Sequence, residues 1–347
     1  MQLSPRDLNR TFLHRQHLLE RTTRPIPHVV EHLIGLQAQE NLPPYLSLAA
    51  RLAEFDPYAV SAALEDKSLV RLLCMRGTIH LLVPGDALTL RQWTQPCQDR
   101  ERKHSQNVIE ALHLDTAEVN AAISEALLDG PLAMKTLGEA LEERFPGVPG
   151  NALAHLARIN QPLAQLPPRG QWKKPGGVIY QYVDRWLGEP LREPDVAEIV
   201  RRYLRAYGPA TAADVTAWSG VTRLVPVLKG MDDLVQHAGE NGKTLYDVPE
   251  GEIVTGETPA PVRLLGVYDN VWLSHAGRDR VTDPVKRKNW MGVNGGIGNT
   301  IFVDGMLEGM WRVEDGTITV TTYRDLTKPE QSDLDEELDR AKVLLAR

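Results

Sequence analysis

Two glutamines, Gln37 and Gln39, flank a single alanine in the segment Gly35-Leu36-Gln37-Ala38-Gln39-Glu40-Asn41. A carboxamide does not titrate, so the pair is unsuited to general acid–base work, but each amide both donates and accepts hydrogen bonds and can hold a water. A held water is what a hydrolysis requires when its leaving group is already activated. Further along, Arg76-Gly77-Thr78-Ile79-His80-Leu81 reads as a strand on which Arg76, Thr78 and His80 share one side. Two readings of His80 stand open: it lines a substrate or its phosphates, or it is a buried, hydrogen-bonded histidine that holds the hairpin. His28 and His32 lie four apart, but no third ligand completes a recognisable motif, so no metal and no cofactor is expected. The absence of lysine near the glutamine motif argues against Schiff-base chemistry.

A second candidate segment is Asp283-Pro284-Val285-Lys286-Arg287-Lys288-Asn289-Trp290-Met291-Gly292. As a hairpin loop it would offer Lys286, Arg287 and Lys288 to phosphates and an apolar Trp290-Met291 tip to wedge a duplex. The bland alternative is a hairpin with incidental charge.

The elements that must position these residues recur along the chain. A pair of helices followed by a strand–loop–strand hairpin is predicted three times, the winged-helix pattern, and three copies are far more specific than one. The third copy is the clearest: a helix from Thr211 to about Trp218, a turn at Ser219-Gly220, a second helix over 223–231, and strands over 234–237 and 243–248. The second has helices over 137–144 and 150–160, then strands over 163–166 and 178–183. The first has helices over 4–20, 27–39 and 57–65 and a hairpin over 68–83 that bends at Arg76-Gly77. Beyond about residue 251, strands are predicted over 262–265, 271–273, 300–303, 307–313 and 317–323. Asp304-Gly305 and Asp315-Gly316 mark tight turns, and a charged amphipathic helix follows over 328–345. The expected fold is therefore α+β: three tandem winged-helix modules (1–112 with the Gln-x-Gln motif, 113–188 and 189–250), then a small β-sheet or barrel domain with a C-terminal helix (251–347).

Composition narrows the functional classes. The chain has 347 residues, 42% of them hydrophobic and 24% charged, enough for several cores of ordinary soluble type. It contains only two cysteines and no long apolar run, and its first residues lack a signal-like segment, so a cytoplasmic protein without a membrane partner is expected, and the excess of Arg over Lys with plentiful Ala, Gly and Pro fits a GC-rich bacterial genome. The net charge of −7 excludes a uniformly basic coat. Basic residues are nonetheless segregated: Arg6, Arg10, Arg15, Arg21 and Arg24 near the start, Arg100, Arg102 and Lys103 near the middle, and the run at 286–288.

Taken together, several stretches resemble the AlkZ-like family of winged-helix DNA glycosylases. They are Leu36-Gln37-Ala38-Gln39 with Pro44-Tyr45 and Arg51, the Arg76-to-Leu81 strand, Tyr207-Gly208-Pro209-Ala210-Thr211, Asp269, Asp279-Arg280, and Val303-Asp304-Gly305 through Gly309-Met310-Trp311-Arg312. One departure is Gly266, where the family often has proline. The resemblance implies a monofunctional glycosylase that excises alkylated purines from double-stranded DNA and in some members unhooks interstrand crosslinks. It implies Gln37 and Gln39 as the catalytic pair and Arg76, Thr78, His80 and Arg280 at the DNA. Related members carry Asp in place of the second Gln, so Gln39 places the chain on the branch tied to specialised genotoxins, with antibiotic self-resistance as its setting. The resemblance also fits a monomer that associates with the nucleoid when on DNA. The rival class is a non-enzymatic winged-helix transcription regulator, which tandem modules alone would permit.

Elementary chemistry agrees with the glutamine pair. A purine alkylated at N7 or N3 is cationic, and its glycosidic bond is weakened before any enzyme acts. Positioning a water and stabilising an oxocarbenium-like state are then sufficient, and no strong acid is needed at the base.

Overall fold

The computed structural model describes residues 1–240, 242–290, 298–314 and 316–347. Three antiparallel sheets organise a mostly helical chain. The largest contains β1 (Leu36–Gln37), β2 (Val70–Leu73), β3 (Ile79–Leu82), β4 (Leu132–Ala133), β5 (Leu163–Gln165) and β6 (Ile179–Tyr182), in the order β1-β3-β2-β5-β6-β4. Two strands, β7 (Val235–Ala238) and β8 (Thr244–Asp247), form a separate hairpin. The last sheet has the order β12-β11-β10-β9, from β9 (Arg263–Leu265), β10 (Asn299–Val303), β11 (Met306–Glu314) and β12 (Thr317–Thr322).

The helix-pair-and-hairpin pattern is visible, with one change of architecture. The hairpins expected in the first and second units are not separate wings. They join through β2 and β5, where Arg71 faces Gln165 and Leu72 faces Ala164. Residues on both sides of the expected 112/113 boundary thus share one layer. Strict alternation explains why: Leu73, Ile79, Leu81 and Tyr180 feed one core, whereas Val70, Leu72, Leu82 and Ala164 feed another. A sheet apolar on both faces must be covered on both.

Local stop signals set the position of the glutamine motif. The first helix, Pro5–Arg15, begins with a Ser4/Asp7 capping box and ends before His17, whose φ is 55°. The next, Ile26–His32, ends at Ile34 (φ 51°) and Gly35 (φ 94°). A Cβ at Gly35 would lie 2.4 Å from Leu82 Cδ2 on top of its left-handed backbone, so glycine is required there. The helix expected over 27–39 therefore stops at His32, and Gln37 lies on an edge strand, not near a helix terminus. The strand expected over 271–273 is likewise a short helix, Asn270–Leu273, because Asp269 caps it by accepting from Val271 N at 3.0 Å. Asp304 (φ 47°) and Gly305 (φ 75°) form the tight turn between β10 and β11. The helix Lys328–Ala346 opens on a Thr327/Glu330 capping box. Among the described residues, no helix is long and apolar enough to cross a membrane.

Candidate active site

Gln37 pairs with His80 across β1 and β3, and Ala38 N donates to Ile79 O at 2.7 Å. Ala38 points into the core, so Gln37 and Gln39 project from the opposite side of the same edge. Gln37 is buried and Gln39 exposed. Both side chains are held by their oxygens. Gln37 Oε1 accepts from Arg76 Nη2 at 3.1 Å, and Gln39 Oε1 accepts from Ile79 N at 3.1 Å. Because both partners can only donate, these bonds fix which end of each amide is oxygen. Each oxygen keeps one lone pair, and each NH2 points away from its anchor.

Arg76 is the hub of the site. The 3₁₀ turn Met75–Gly77 places Arg76 at φ 55° in the bend between β2 and β3. Its Nη1 donates to Trp218 O at the C-terminal end of the helix Ala212–Ser219, where a carbonyl dipole favours a cation. Its Nη2 is also 3.1 Å from His80 Nε2. Since a guanidinium only donates, Nε2 must be the unprotonated nitrogen, and Nδ1 carries the proton it gives to Thr78 O at 3.0 Å. Burial, with the Arg76 charge adding to it, pushes the His80 pKa down to about 3. His80 is 1% exposed and neutral at any working pH, so it is a poor candidate for an acid or a phosphate ligand. Burial likewise lowers the Arg76 pKa to about 10, which still leaves it charged. None of the hydrogen bonds of Gln37, Gln39, Arg76 and His80 involves a carboxylate.

The family model described as DNA glycosylase AlkZ-like matches residues 30–342. The chain belongs to that family. This glycosylase is 29% identical over 335 residues to an interstrand DNA cross-link repair glycosylase of Streptomyces sahachiroi, an alignment that covers 90% of this chain and 89% of the relative. Its fold matches the solved structure of the Streptomyces sahachiroi DNA glycosylase AlkZ with a TM-score of 0.82, covering 100% of this chain and 98% of that one at 24% identity.

The remaining sequence-predicted residues of the glycosylase do not join this cluster. Thr78 Oγ1 donates back to Met75 O at 3.1 Å and closes the bend. Arg280 Nη2 donates to Pro209 O at 2.6 Å, which ties the start of the third unit to the β domain. The segment expected as a basic hairpin is a helix over Pro284–Trp290, started by Asp283 Oδ1, which accepts from Val285 N and Lys286 N at 2.9 Å. Lys286 pairs with Glu308 at 2.5 Å, leaving half-buried Arg287 and exposed Lys288 as the accessible cations of that run. Trp290 is 3% exposed and stacks on Trp272 at 3.9 Å, so it is part of the core and not a duplex wedge. Met291, the other half of the expected tip, lies outside the described residues.

Two features escaped the sequence reading. One is the reach of Arg76 to the Trp218 carbonyl, which joins residues 142 positions apart and has no local signal. The other is Arg71, whose Nη2 donates to Ala38 O inside the motif at 2.8 Å. An arginine between Val70 and Leu72 on a buried strand was the available clue. Among the described residues, no group of three or more His, Cys, Asp or Glu is arranged to hold a metal. A cavity of about 1060 Å³ lies between the C-terminal helix and the helix Pro43–Arg51, lined by Arg21, Phe55, Leu264, Trp311 and Arg340. It contains none of the four site residues, so its size gives no support to a role in the chemistry.

Proposed function

We propose that this glycosylase hydrolyses the N-glycosidic bond of purines made cationic by alkylation at N7 or N3, including bulky genotoxin adducts and the interstrand crosslinks named for its Streptomyces relative. The observation that carries the reading is the anchored, carboxylate-free glutamine pair. Gln37 and Gln39 each offer a remaining lone pair to a water proton, which leaves a water lone pair free to attack C1′. The C1′–N9 bond breaks with its electrons moving to the purine, which leaves as a neutral base because it began as a cation. The water proton passes to solvent, and an abasic site remains. A neutral base has no such driving force, and among the described residues no carboxylate hydrogen-bonds to Gln37 or Gln39 to supply a proton.

In this reading Arg76 and His80 are positioning residues, with Thr78 closing the turn that carries them. Arg287 and Lys288 contact phosphates, whereas Arg280 and Trp290 hold the fold. The three helix-pair-and-hairpin units bind double-stranded DNA as winged-helix modules, and one copy of the chain is sufficient.

The test is single-turnover excision on a duplex containing 7-methylguanine, followed by alkaline cleavage, with a uracil duplex as control. Gln37→Ala and Gln39→Ala should each lower the excision rate by about 10²–10³-fold with duplex affinity nearly unchanged, the scale for losing one preorganised hydrogen-bonding group. Wild type should leave uracil intact. Retention of the wild-type rate in Gln37→Ala would refute the water-clamp role.

A further inference from the structure

The opposite face of the six-stranded sheet carries a second polar cluster that the glutamine chemistry does not use. In register across β2, β5 and β6, Arg71 faces Gln165 and Gln165 faces Tyr180, so the three side chains line one face. All three are buried. Arg158, on the helix Gly150–Asn160, and Arg169, in the loop after β5, approach the same tyrosine, and Arg169 also lies near Arg71. The Nε atoms of Arg71, Arg158 and Arg169 are all buried without a partner.

The partners present are neutral and incomplete. Arg71 Nη2 donates to Ala38 O at 2.8 Å and to Asn41 Oδ1 at 3.4 Å, and Arg169 Nη1 reaches Gly176 O only at 3.5 Å. Among the described residues, no carboxylate pairs with any of the three. Holding the buried Arg71 guanidinium beside two more cations without an acid is costly, and a bound anion would offset that cost. Gln165 Oε1 is also unpartnered. An amide oxygen accepts and does not donate, so it is not itself a ligand for an anion. The cluster opens to solvent at the half-buried Arg158 and Arg169. The loop that carries Arg169 is pinned by Tyr45, which donates to Gly170 O at 2.7 Å. Arg71 links the cluster to the backbone between the two motif glutamines.

We propose that Arg71, Arg158 and Arg169 form a binding site for one backbone phosphodiester of the DNA, next to the segment Ala38–Asn41. The site rests on the assignment of the chain as a DNA glycosylase, and it gives Ala38 a second anchor that tightens when DNA is bound. Arg158 and Arg169 supply the forked donors, and Arg71 transmits the bound charge to the motif carbonyl.

The test uses the full chain with Arg158→Gln and Arg169→Gln combined, leaving the more deeply buried Arg71 in place. Undamaged-duplex affinity is measured against salt, alongside single-turnover excision and thermal unfolding. The slope of log affinity on log salt should fall by about one, so that over a fourfold rise in salt wild type loses roughly threefold more affinity than the variant. Melting temperature should hold or rise, because like charges have been separated. Arg158→Lys with Arg169→Lys should restore the slope. An unchanged slope with a lowered melting temperature would overturn the proposal in favour of a purely structural cluster. An unchanged slope with wild type stabilised by inorganic phosphate would overturn it in favour of a free-anion site. Gln37→Ala separates this proposal from the water-clamp reading, since it should lower the excision rate by about 10²–10³-fold and leave the slope intact.

Discussion

Arg51, fully buried, and Arg76, half-buried, are held on opposite terms. Arg51 is matched by Asp269, Nη1 and Nη2 each 2.8 Å from a carboxylate oxygen, with Ser47 bonding both residues. Other arginines where the N-terminal segment meets the later units follow the same pattern. Arg15 bonds both oxygens of Asp247 at 2.7 and 2.8 Å, Arg21 meets Glu337 at 2.6 Å, and Arg10 meets Asp304. On the six-stranded sheet, its Met75–Gly77 turn and the helix Pro84–Trp93 packed beside it, three arginines have no carboxylate partner among the described residues. Arg76 has a carboxamide, a histidine and a carbonyl; Arg71 has a carbonyl and an amide; Arg91 has Gln95 and the carbonyls of Ile159 and Gln161. The first set closes its own charge and acts as staples between distant segments. The second leaves positive potential within the layer that carries Gln37. A protein that binds a polyanion gains from that imbalance, because phosphates complete what the fold leaves open.

The comparison makes opposite forecasts for single substitutions. Asp269→Asn leaves Arg51 buried without its counter-charge and should cost about 3–5 kcal/mol in urea unfolding. Arg51→Met with Asp269→Leu should recover most of that loss, since the desolvation of both charges is removed together. A cost below about 1 kcal/mol for Asp269→Asn would show that the staple is not closed as described. Arg76→Met should behave in the reverse sense. Stability should stay within about 1 kcal/mol, because an unpaired cation is no longer desolvated, while kcat falls by about a hundredfold with KM little changed. Arg76→Lys should fall almost as far, since one ammonium cannot hold Gln37, His80 and Trp218 O in the geometry of the planar fork. A large stability loss without a change in kcat would move Arg76 into the stapling set.

How much of this was legible in the sequence follows the same divide. The paired hairpin strands β2 and β3, the Thr211 cap, the tight turn at Asp304-Gly305 and the C-terminal helix are local events with local signals, and each stands within a few residues of its expected place. Gln37 and Gln39 were visible because two amides side by side have no packing rationale. What was not legible is contact between distant segments. Apolar alternation in β2 and β5 is compatible with two separate wings or one joined sheet, and only the Arg71–Gln165 register distinguishes them. The motif was assigned to a helix end because Leu33-Ile34 continues an apolar pattern. The left-handed pair Ile34 and Gly35 broke it, and a non-glycine residue at positive φ is rarely readable from sequence. Trp290 looked like a wedge beside three basic residues, but its partner Trp272 lies eighteen positions away in a segment that was read as a strand.

The smallest expected effect isolates the histidine inside the unpaired region. An exposed histidine in the unfolded chain takes up its proton near pH 6.5, whereas His80 in the fold resists it down to about 3. Between those values the unfolded state binds more protons, so stability falls as pH drops below about 6.5 and is unaffected by this group above it. The limiting slope is about 1.4 kcal/mol per pH unit for one such histidine. His17, held at about 4 mainly by burial with His32 and Arg51 adding to it, contributes over a narrower window with the same sign. Unfolding melts between pH 8 and about pH 4 should therefore begin to drop as pH falls through about 6.5. Arg76→Met removes the neighbouring charge but not the burial, so His80 should become somewhat easier to protonate and the acid loss should shrink without vanishing. The His80 ring-proton shift in NMR reads this directly. Titration of His80 near 6.5 in the wild-type protein would break the comparison at its centre, because it would mean that neither burial nor Arg76 encloses the group that Gln37 faces across the strand pair.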